Sequence, residues 1–306
     1  MPPEASPVRP AAMLACDLDG TLLDGNGRIS AATEKALRRA TDAGMELVIA
    51  TGRRYSYALQ VIAPLRLPAD TVVISSNGAI TRTIGGETLR RIHMPIPDAL
   101  ALCRFGSFRE SLVFTFDRKG PGTLVVENIE ELARRLPRWV SANRAEIVSF
   151  DPIETAFSAG ELPIQAMICG TLAQMSAASA ELHRETPEAA SLRAAISEHR
   201  TEYVARDLSV LDLMPQGCSK GVAVAELAKQ RGLTPDAVIC VGDNMNDADM
   251  LAYAGRPLVM ENAHAELLTI ARREGWAIIG RNDADGVARA LLDILQERQL
   301  GCLSGS

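Results

Sequence analysis

The sequence predicts an α/β fold: a doubly wound, Rossmann-like parallel sheet interrupted by an inserted α+β domain. Three observations carry this reading. Apolar runs alternate with helical patterns over 13–83 and again from 215 onward, and such alternation builds a parallel sheet through right-handed crossovers. Each of these runs ends in small polar or acidic residues, as the ligand-bearing carboxyl edge of an open sheet does. Between 84 and 214 the pattern changes to helices followed by paired strands. At 306 residues the chain reaches the length where single cores give way to two domains. The expected division is a core made of 1–83 and 215–306, with the inserted domain at 84–214.

Taken in order, residues 1–12 are rich in Pro and Ala and read as a loose tail. The first strand is 13–17, and Asp24-Gly25-Asn26-Gly27 is turn chemistry. Ser30 is a good N-cap and Gly44 a good stop for a helix in which Ala32, Ala36, Leu37, Ala40 and Ala43 keep helical spacing. A second buried strand follows at 45–50, a helix at 56–65 and a third strand at 71–75. In the insert, a helix is expected over 98–109. Strands at 112–116 and 123–127 pair around Lys119-Gly120-Pro121-Gly122. One helix is expected over 129–140, strands at 147–150 and 164–169, helices at 172–184 and 191–198, and closing strands at 202–205 and 210–214. The order suggests an internal αββ repeat. The first pattern then resumes. Ser219 opens a helix to Gly232, a strand spans 237–241, and a helix runs to Ala254. A strand at 258–260, a helix at 264–273, a strand at 276–279 and a helix at 285–295 complete the core. The segment from Leu300 reads as a disordered tail.

Apolar residues make up 47% of the chain, charged residues 23%, and the net charge is -6, which describes a mildly acidic protein with material for a sizeable core. That balance argues against a nucleic-acid partner, which calls for a basic face. An anionic substrate is still possible where a metal supplies local positive charge. The six cysteines contain no CxxC pair, so neither a zinc site nor a disulfide framework is indicated. Cys16 and Cys240 read as small buried hydrophobes. No apolar run approaches a membrane span, and the run before Asp17 is too short for a signal sequence. A cytoplasmic protein with no membrane partner is the expectation.

Asp17-Leu18-Asp19-Gly20-Thr21 places two carboxylates at i and i+2 beyond the first strand. In an extended chain both would point the same way. Such a pair suits a hard cation with oxygen ligands, or a division of labour between a nucleophile and a general acid. A calcium loop is excluded, because Leu22 and Arg28 stand where that loop needs Gly and Glu. Thr51-Gly52-Arg53 follows the second strand, Lys220 opens the helix after the insert, and Gly242-Asp243-Asn244-Met245-Asn246-Asp247 follows the next strand. Singly, these segments read as a turn, a helix cap or a surface lysine. Topology brings all of them to one edge, with Asp17, Asp19, Asp243 and Asp247 in one crevice. Packed about 4 Å apart, each carboxylate pair would repel by roughly 4 kcal/mol at an effective dielectric near 20. A divalent cation together with Lys220 offsets that repulsion, and Mg²⁺ suits a few carboxylates plus water and phosphate oxygens. His93, His183, His199 and His264 show no metal-ligand spacing. Gly25-Asn26-Gly27 lacks the third glycine of a dinucleotide loop.

On these residues the chain resembles the haloacid dehalogenase superfamily, and within it the Cof-type phosphatases, which carry a large α/β cap. Asp17-Leu18-Asp19-Gly20-Thr21 matches the first motif and Thr51, in Ala50-Thr51-Gly52-Arg53, the second. Lys220, in Ser219-Lys220-Gly221, matches the third, and Gly242-Asp243 through Asp247 the fourth. Ser76-Asn77-Gly78-Ala79, Asn262-Ala263-His264 and Asp285-Gly286-Val287 are similar to further hallmarks of the branch. Glu261 departs from it, since Gly commonly stands there.

The resemblance implies Mg²⁺-dependent hydrolysis of small phosphorylated metabolites, sugar phosphates foremost. Asp17 would attack the phosphoryl group to give an aspartyl-phosphate, and Asp19 would protonate the leaving alkoxide and then activate water. Mg²⁺ would be held by the Asp17 carboxylate, the Asp19 backbone carbonyl and Asp243, with Asp247 as a further or outlying ligand. Thr51, Gly52, Lys220 and Asn246 would hold the phosphoryl oxygens. Arg53 and Asn77 would contact substrate, and the inserted domain would choose it. Two alternatives stay open: a hexose phosphomutase or phosphotransferase using the same nucleophile, and a non-catalytic metabolite-binding protein. Dehalogenase chemistry has no use for Asp19 or a metal, and an ion pump needs membrane spans.

Overall fold

The computed structural model describes residues 12–105, 111–203 and 206–304. Before the insert the chain forms β1 (Met13–Cys16), α1 (Ala31–Asp42), β2 (Glu46–Ala50), α2 (Tyr55–Ile62), β3 (Val72–Ser75), β4 (Ile80–Thr83) and β5 (Thr88–Arg91). Next come α3 (Ile96–Arg104), β6 (Val113–Thr115), β7 (Leu124–Val126), α4 (Ile129–Arg135), α5 (Pro137–Asn143), β8 (Ile147–Ser149) and β9 (Gln165–Gly170). The insert closes with α6 (Leu172–Leu182), α7 (Pro187–Ala195), β10 (Ile196–Tyr203) and β11 (Leu208–Pro215). The chain then continues through α8 (Lys220–Gln230), β12 (Val238–Gly242), α9 (Ala248–Tyr253), β13 (Arg256–Met260), α10 (Ala265–Glu274), β14 (Ala277–Ile279) and α11 (Gly286–Ser304). Two compact units result: Met1–Leu89 with Ser219–Ser306, and Arg90–Cys218.

The sheet of the first unit has the order β14-β13-β12-β1-β2-β3-β4-β5. β1 pairs in parallel with β12 on one side and β2 on the other. The chain therefore winds outward one way before the insert and the other way after it. At such a reversal the flanking connections leave on opposite faces, and a crevice opens at the carboxyl ends of the strands. Side chains alternate between two apolar layers. Leu14 and Cys16 pack with Leu37 of α1 and Leu291 of α11, while Met13 and Ala15 pack with Val224 of α8, Met250 of α9 and Leu267 of α10. Strands covered on both faces read as unbroken apolar runs, which is why the sequence marks them so clearly. Ser30 caps α1, its hydroxyl oxygen accepting from the Thr33 N–H at 3.0 Å.

The core sheet extends further than the sequence reading takes it. β4 turns back antiparallel to β3, and β5 adds the edge. The compact core consequently runs to Leu89 rather than 83 and resumes at Ser219 rather than 215. A partly exposed edge strand such as Thr88–Arg91 has no apolar face to betray it.

The insert folds around a sheet of order β10-β11-β9-β6-β7-β8, antiparallel in its pairings except between β7 and β8. Its helices pack on both faces, α3, α6 and α7 over Phe114 and Ile168, α4 and α5 over Val113 and Val126. The single helix expected over 129–140 is two. Pro137 has no N–H to donate and its ring clashes within a helix, so α4 stops and Pro137 opens α5. The helix expected over 191–198 lies earlier, at Pro187–Ala195, capped by the Thr186 hydroxyl. From Ile196 the chain is strand, because pairing with β11 runs continuously from Ile196–Pro215 to Tyr203–Leu208 and overrides local helix propensity.

Parts of several expectations, at 1–11, 106–110, 204–205 and 305–306, lie outside the described residues. At the other end α11 carries on to Ser304, past the point at Leu300 where a disordered tail is expected. Gln296, Glu297, Arg298 and Gln299 are good helix formers and carry the helix up to that point, and it continues through Gly301 against that residue's propensity.

Candidate active site

The reversal point of the first unit delivers Asp17 and Asp243, each one residue past its strand. The Asp17 N–H donates to the Val241 carbonyl at 3.0 Å, which continues the β1–β12 ladder and fixes where the side chain starts. Lys220 begins α8, whose N-cap Ser219 accepts from the Val222 N–H. Lys220 is only 1% exposed, and its Nζ donates to Asp17 Oδ1 and Asp247 Oδ1, both at 2.6 Å. Asp247 Oδ2 accepts from the N–H groups of Asp243 and Asn244, each at 3.0 Å. The Thr21 hydroxyl donates to Asp243 Oδ1 at 3.2 Å. Carboxylate oxygens of Asp17, Asp243 and Asp247 all lie within 4.8 Å of one another.

Burial raises the Asp17 pKa to about 7; Lys220 pulls against this, while Asp247 and Asp19 push the same way. Burial, reinforced by the charges of Asp17 and Asp247, raises Asp243 to about 9. For Lys220 burial works to lower the pKa, yet the two carboxylates it bridges outweigh it and drive the value up, so the ammonium stays charged. With all three carboxylates ionised, the single ammonium would leave the cluster with two uncompensated negative charges, which is part of why Asp17 and Asp243 hold their protons so firmly without a cation. An all-oxygen donor set with that balance fits a hard divalent cation. Asp247 already has both oxygens engaged. Asp17 and Asp243 each keep Oδ2 clear of hydrogen bonds among the described residues and are the better placed to hold one.

These shifts fix a sign for pH dependence. Asp17 and Asp243 hold their protons to higher pH when folded than when unfolded. Metal-free stability should therefore fall as pH rises from about 4 through the folded values. Metal binding needs the ionised carboxylates, so added Mg²⁺ should stabilise more at about pH 8 than at about pH 5. Thermal unfolding in EDTA and in Mg²⁺ at both pH values checks this. A Mg²⁺ effect independent of pH, or one retained in Asp243→Asn, would contradict the site.

Asp19 does not join the cluster. β1 ends at Cys16 and the chain turns at once, so the alternation of an extended strand no longer applies at Leu18. The Asp19 carboxylate is 57% exposed and takes a two-pronged ion pair from Arg53, Nε to Oδ2 at 2.6 Å and Nη2 to Oδ1 at 2.5 Å. Arg53 in turn lies over the Tyr57 ring, 4.7 Å from its centre. The expected group of four carboxylates is thus three around Lys220, with Asp19 beside them on an arginine.

Thr51, one residue past β2, is fully buried; its N–H donates to the Ile74 carbonyl at 2.8 Å and its hydroxyl oxygen accepts from the Arg53 N–H at 3.1 Å. Gly52 follows directly. Asn246 Nδ2 donates to Asn77 Oδ1 at 3.0 Å. Asn77 is itself buried, so its side chain serves Asn246 rather than lying open to a substrate.

Of the residues that shape the loop after β1, the sequence marks Gly20 as a turn residue in the first motif, while the part played by two asparagines is visible only in the structure. Gly20 sits at φ +75°, and a Cβ there would come within 2.2 Å of Asp243 Oδ2. Asn262 Nδ2 donates to the Gly20 carbonyl at 2.8 Å, while Asn262 Oδ1 accepts from the Asn282 N–H at 2.9 Å. Asn282 Nδ2 reaches the Leu23 carbonyl at 2.7 Å. Asn262 stood in a recognised segment without an evident task; Asn282, on the far side of the sequence, gave no signal.

Fold and site together define an α/β enzyme whose split, doubly wound core gathers acids and a lysine where the winding reverses. The chain belongs to the haloacid dehalogenase-like hydrolases, whose family profile matches residues 14–291. It is similar to phosphatase YwpJ of Bacillus subtilis (strain 168), 29% identical over 303 residues and covering 92% of this chain and 99% of that one. It is also similar to the HMP-PP phosphatase of Enterobacter sp. (strain 638), 29% identical over 294 residues, covering 95% and 98%. Among solved structures, a haloacid dehalogenase-like hydrolase from Bacteroides thetaiotaomicron matches with a TM-score of 0.72 at 25% identity, over 93% of this chain and 99% of that one. The resemblance read from the motifs and the fold it implied both hold, and the chain is a hydrolase. No helix among the described residues is long and apolar enough to cross a membrane.

Proposed function

We propose that this protein is a Mg²⁺-dependent phosphatase of small phosphorylated metabolites, sugar phosphates foremost, working through an aspartyl-phosphate on Asp17. The observation that carries the reading is the Asp17 carboxylate itself. It is buried at the reversal point, with one oxygen fixed by Lys220 and the other unengaged in the same cluster as Asp243. The relatives named as phosphatases, one of them for HMP-PP, support it.

In this reading the Asp17 carboxylate forms a bond to phosphorus as the bond to the leaving oxygen breaks, and Asp19 gives that oxygen its proton. Asp19 then takes a proton from water, which attacks the phosphorus and returns free Asp17 and inorganic phosphate. Lys220, the Thr51 hydroxyl, the Gly52 N–H and the Asn246 amide hold the phosphoryl oxygens while charge spreads over them. Asp17, the Asp19 carbonyl and Asp243 would hold Mg²⁺, which would supply the positive charge that lets a dianionic ester approach a carboxylate, while Asp247 steadies Lys220 and the 243–244 backbone. The exposed position of Asp19 suits a group that must meet solvent in one step and a leaving group in the other. The inserted unit is assigned the choice of ester.

Phosphate release from a panel of sugar, nucleotide and cofactor phosphates tests the reading. Release in Mg²⁺ that disappears in EDTA, with sugar phosphates turned over fastest, is the expected result. No release, or release indifferent to EDTA, would overturn the function; a nucleotide ranked first would overturn only the substrate class.

A further inference from the structure

We propose that Asn77 is a positioning residue that fixes which way the Asn246 amide is turned and locks together the segments that hold phosphate. This deepens the phosphatase reading and rests on it. β3 ends at Ser75, and the next three residues all adopt left-handed backbone: Ser76 at φ +47°, Asn77 at +48° and Gly78 at +97°. Residues other than glycine seldom do so, asparagine most readily, and such strain gathers where the surrounding structure demands it.

The sharp turn lets one short buried loop touch three distant segments. The Ser76 N–H donates to the Arg53 carbonyl at 2.8 Å and the Asn77 N–H to the Thr51 carbonyl at 3.2 Å. A Cβ on Gly78 would stand 2.2 Å from the carbonyl oxygen of Ser219, the residue before Lys220. Asn77 Oδ1 accepts from Asn246 Nδ2 at 3.0 Å, and a Cβ on Gly52 would come within 3.0 Å of that same oxygen. The segments bearing Thr51, Lys220 and Asn246 thus meet on Asn77 and its neighbours.

A primary amide presents an acceptor oxygen at one end and two N–H donors at the other. Only the nitrogen end can serve an anionic phosphoryl oxygen. Asn77 Oδ1 accepts one of those N–H groups and so selects that end, since the reversed amide would set oxygen against oxygen. The second N–H of Asn246 is left for the substrate.

Asn77→Gly removes the side chain and keeps the left-handed backbone at no steric cost. Wild type, Asn77→Gly, Asn246→Ala and the double variant are compared with para-nitrophenyl phosphate for kcat, KM, the Mg²⁺ concentration giving half-maximal rate, and thermal unfolding. Asn77→Gly should lower kcat/KM about tenfold, a fraction of what losing a whole transition-state donor costs. It should leave the Mg²⁺ dependence unmoved and add nothing in the Asn246→Ala background, because the two residues act as one unit. Losses that multiply, a rate within about twofold of wild type, or a shifted Mg²⁺ dependence would overturn the proposal while the phosphatase reading stands. Absence of Mg²⁺-stimulated turnover in wild type would remove the reading and this proposal with it. Should Asn77→Gly not fold, Asn77→Ser takes its place in the cycle, since Ser76 shows that serine is accommodated in this conformation here.

Discussion

Asp17→Asn should abolish turnover, lowering kcat by about ten-thousandfold or more, the scale on which removal of a covalent nucleophile registers. Asparagine keeps the size of the side chain and an oxygen that can accept from Lys220 Nζ, so the contact of 2.6 Å can survive in kind. The amide cannot attack phosphorus usefully and cannot hold a cation as a carboxylate does. Stability should move the other way. Ionised Asp17 is an unwelcome charge in this buried cluster, which is why its pKa is pushed up to about 7. Above that pH the metal-free variant should unfold no earlier than wild type, while the stabilisation by Mg²⁺ shrinks. Steady-state kinetics and thermal unfolding in EDTA and in Mg²⁺ decide it. A variant as fast as wild type would end the assignment of Asp17 as nucleophile, and a dead but grossly unfolded one would contradict the electrostatic account.

Lys220→Met should cost both stability and catalysis. The ammonium is buried between Asp17 and Asp247, and no other lysine or arginine among the described residues donates to either carboxylate. Removing one partner of a buried charge pair costs about 3–5 kcal/mol, because the charges left behind are uncompensated. The pH dependence identifies the cause. Without Lys220, which works to lower it, the folded-state pKa of Asp17 rises further, so the folded protein holds still more protons than the unfolded chain. Stability should then fall more steeply with rising pH than in wild type, and most of the loss should be recovered at about pH 5. Mg²⁺ should restore part of it at higher pH. Catalysis should fall by about a thousandfold even where the variant is folded, since a donor aimed at the phosphoryl oxygens is gone. Urea unfolding across pH, with and without Mg²⁺, is the measurement. A loss of stability independent of pH would show that Lys220 acts through packing alone.

Much of this protein was legible before any coordinates. Asp17, Thr51 and Asp243 each stand one residue beyond a buried strand, and Lys220 opens a helix. Position relative to a strand end is a local property, written in the apolar run that precedes it. Parallel strands covered on both faces write it boldly. The edge hairpin at Ile80–Arg91 and the strand that begins at Ile196 were not legible, because their conformations are set by partners across a sheet.

Within the site, the sequence alone determined which residues could meet, since the doubly wound order leaves the two halves of the chain only one shared edge. Tertiary structure alone decided what each does there. Asp19 lies on Arg53, 34 positions away, and not among the other acids, because the strand stops before it. Asn77 serves Asn246, 169 positions away. Asn282 braces a loop 259 positions distant. Such hydrogen bonds depend on where a turn ends to within a fraction of an ångström, and no periodicity in a chain encodes that.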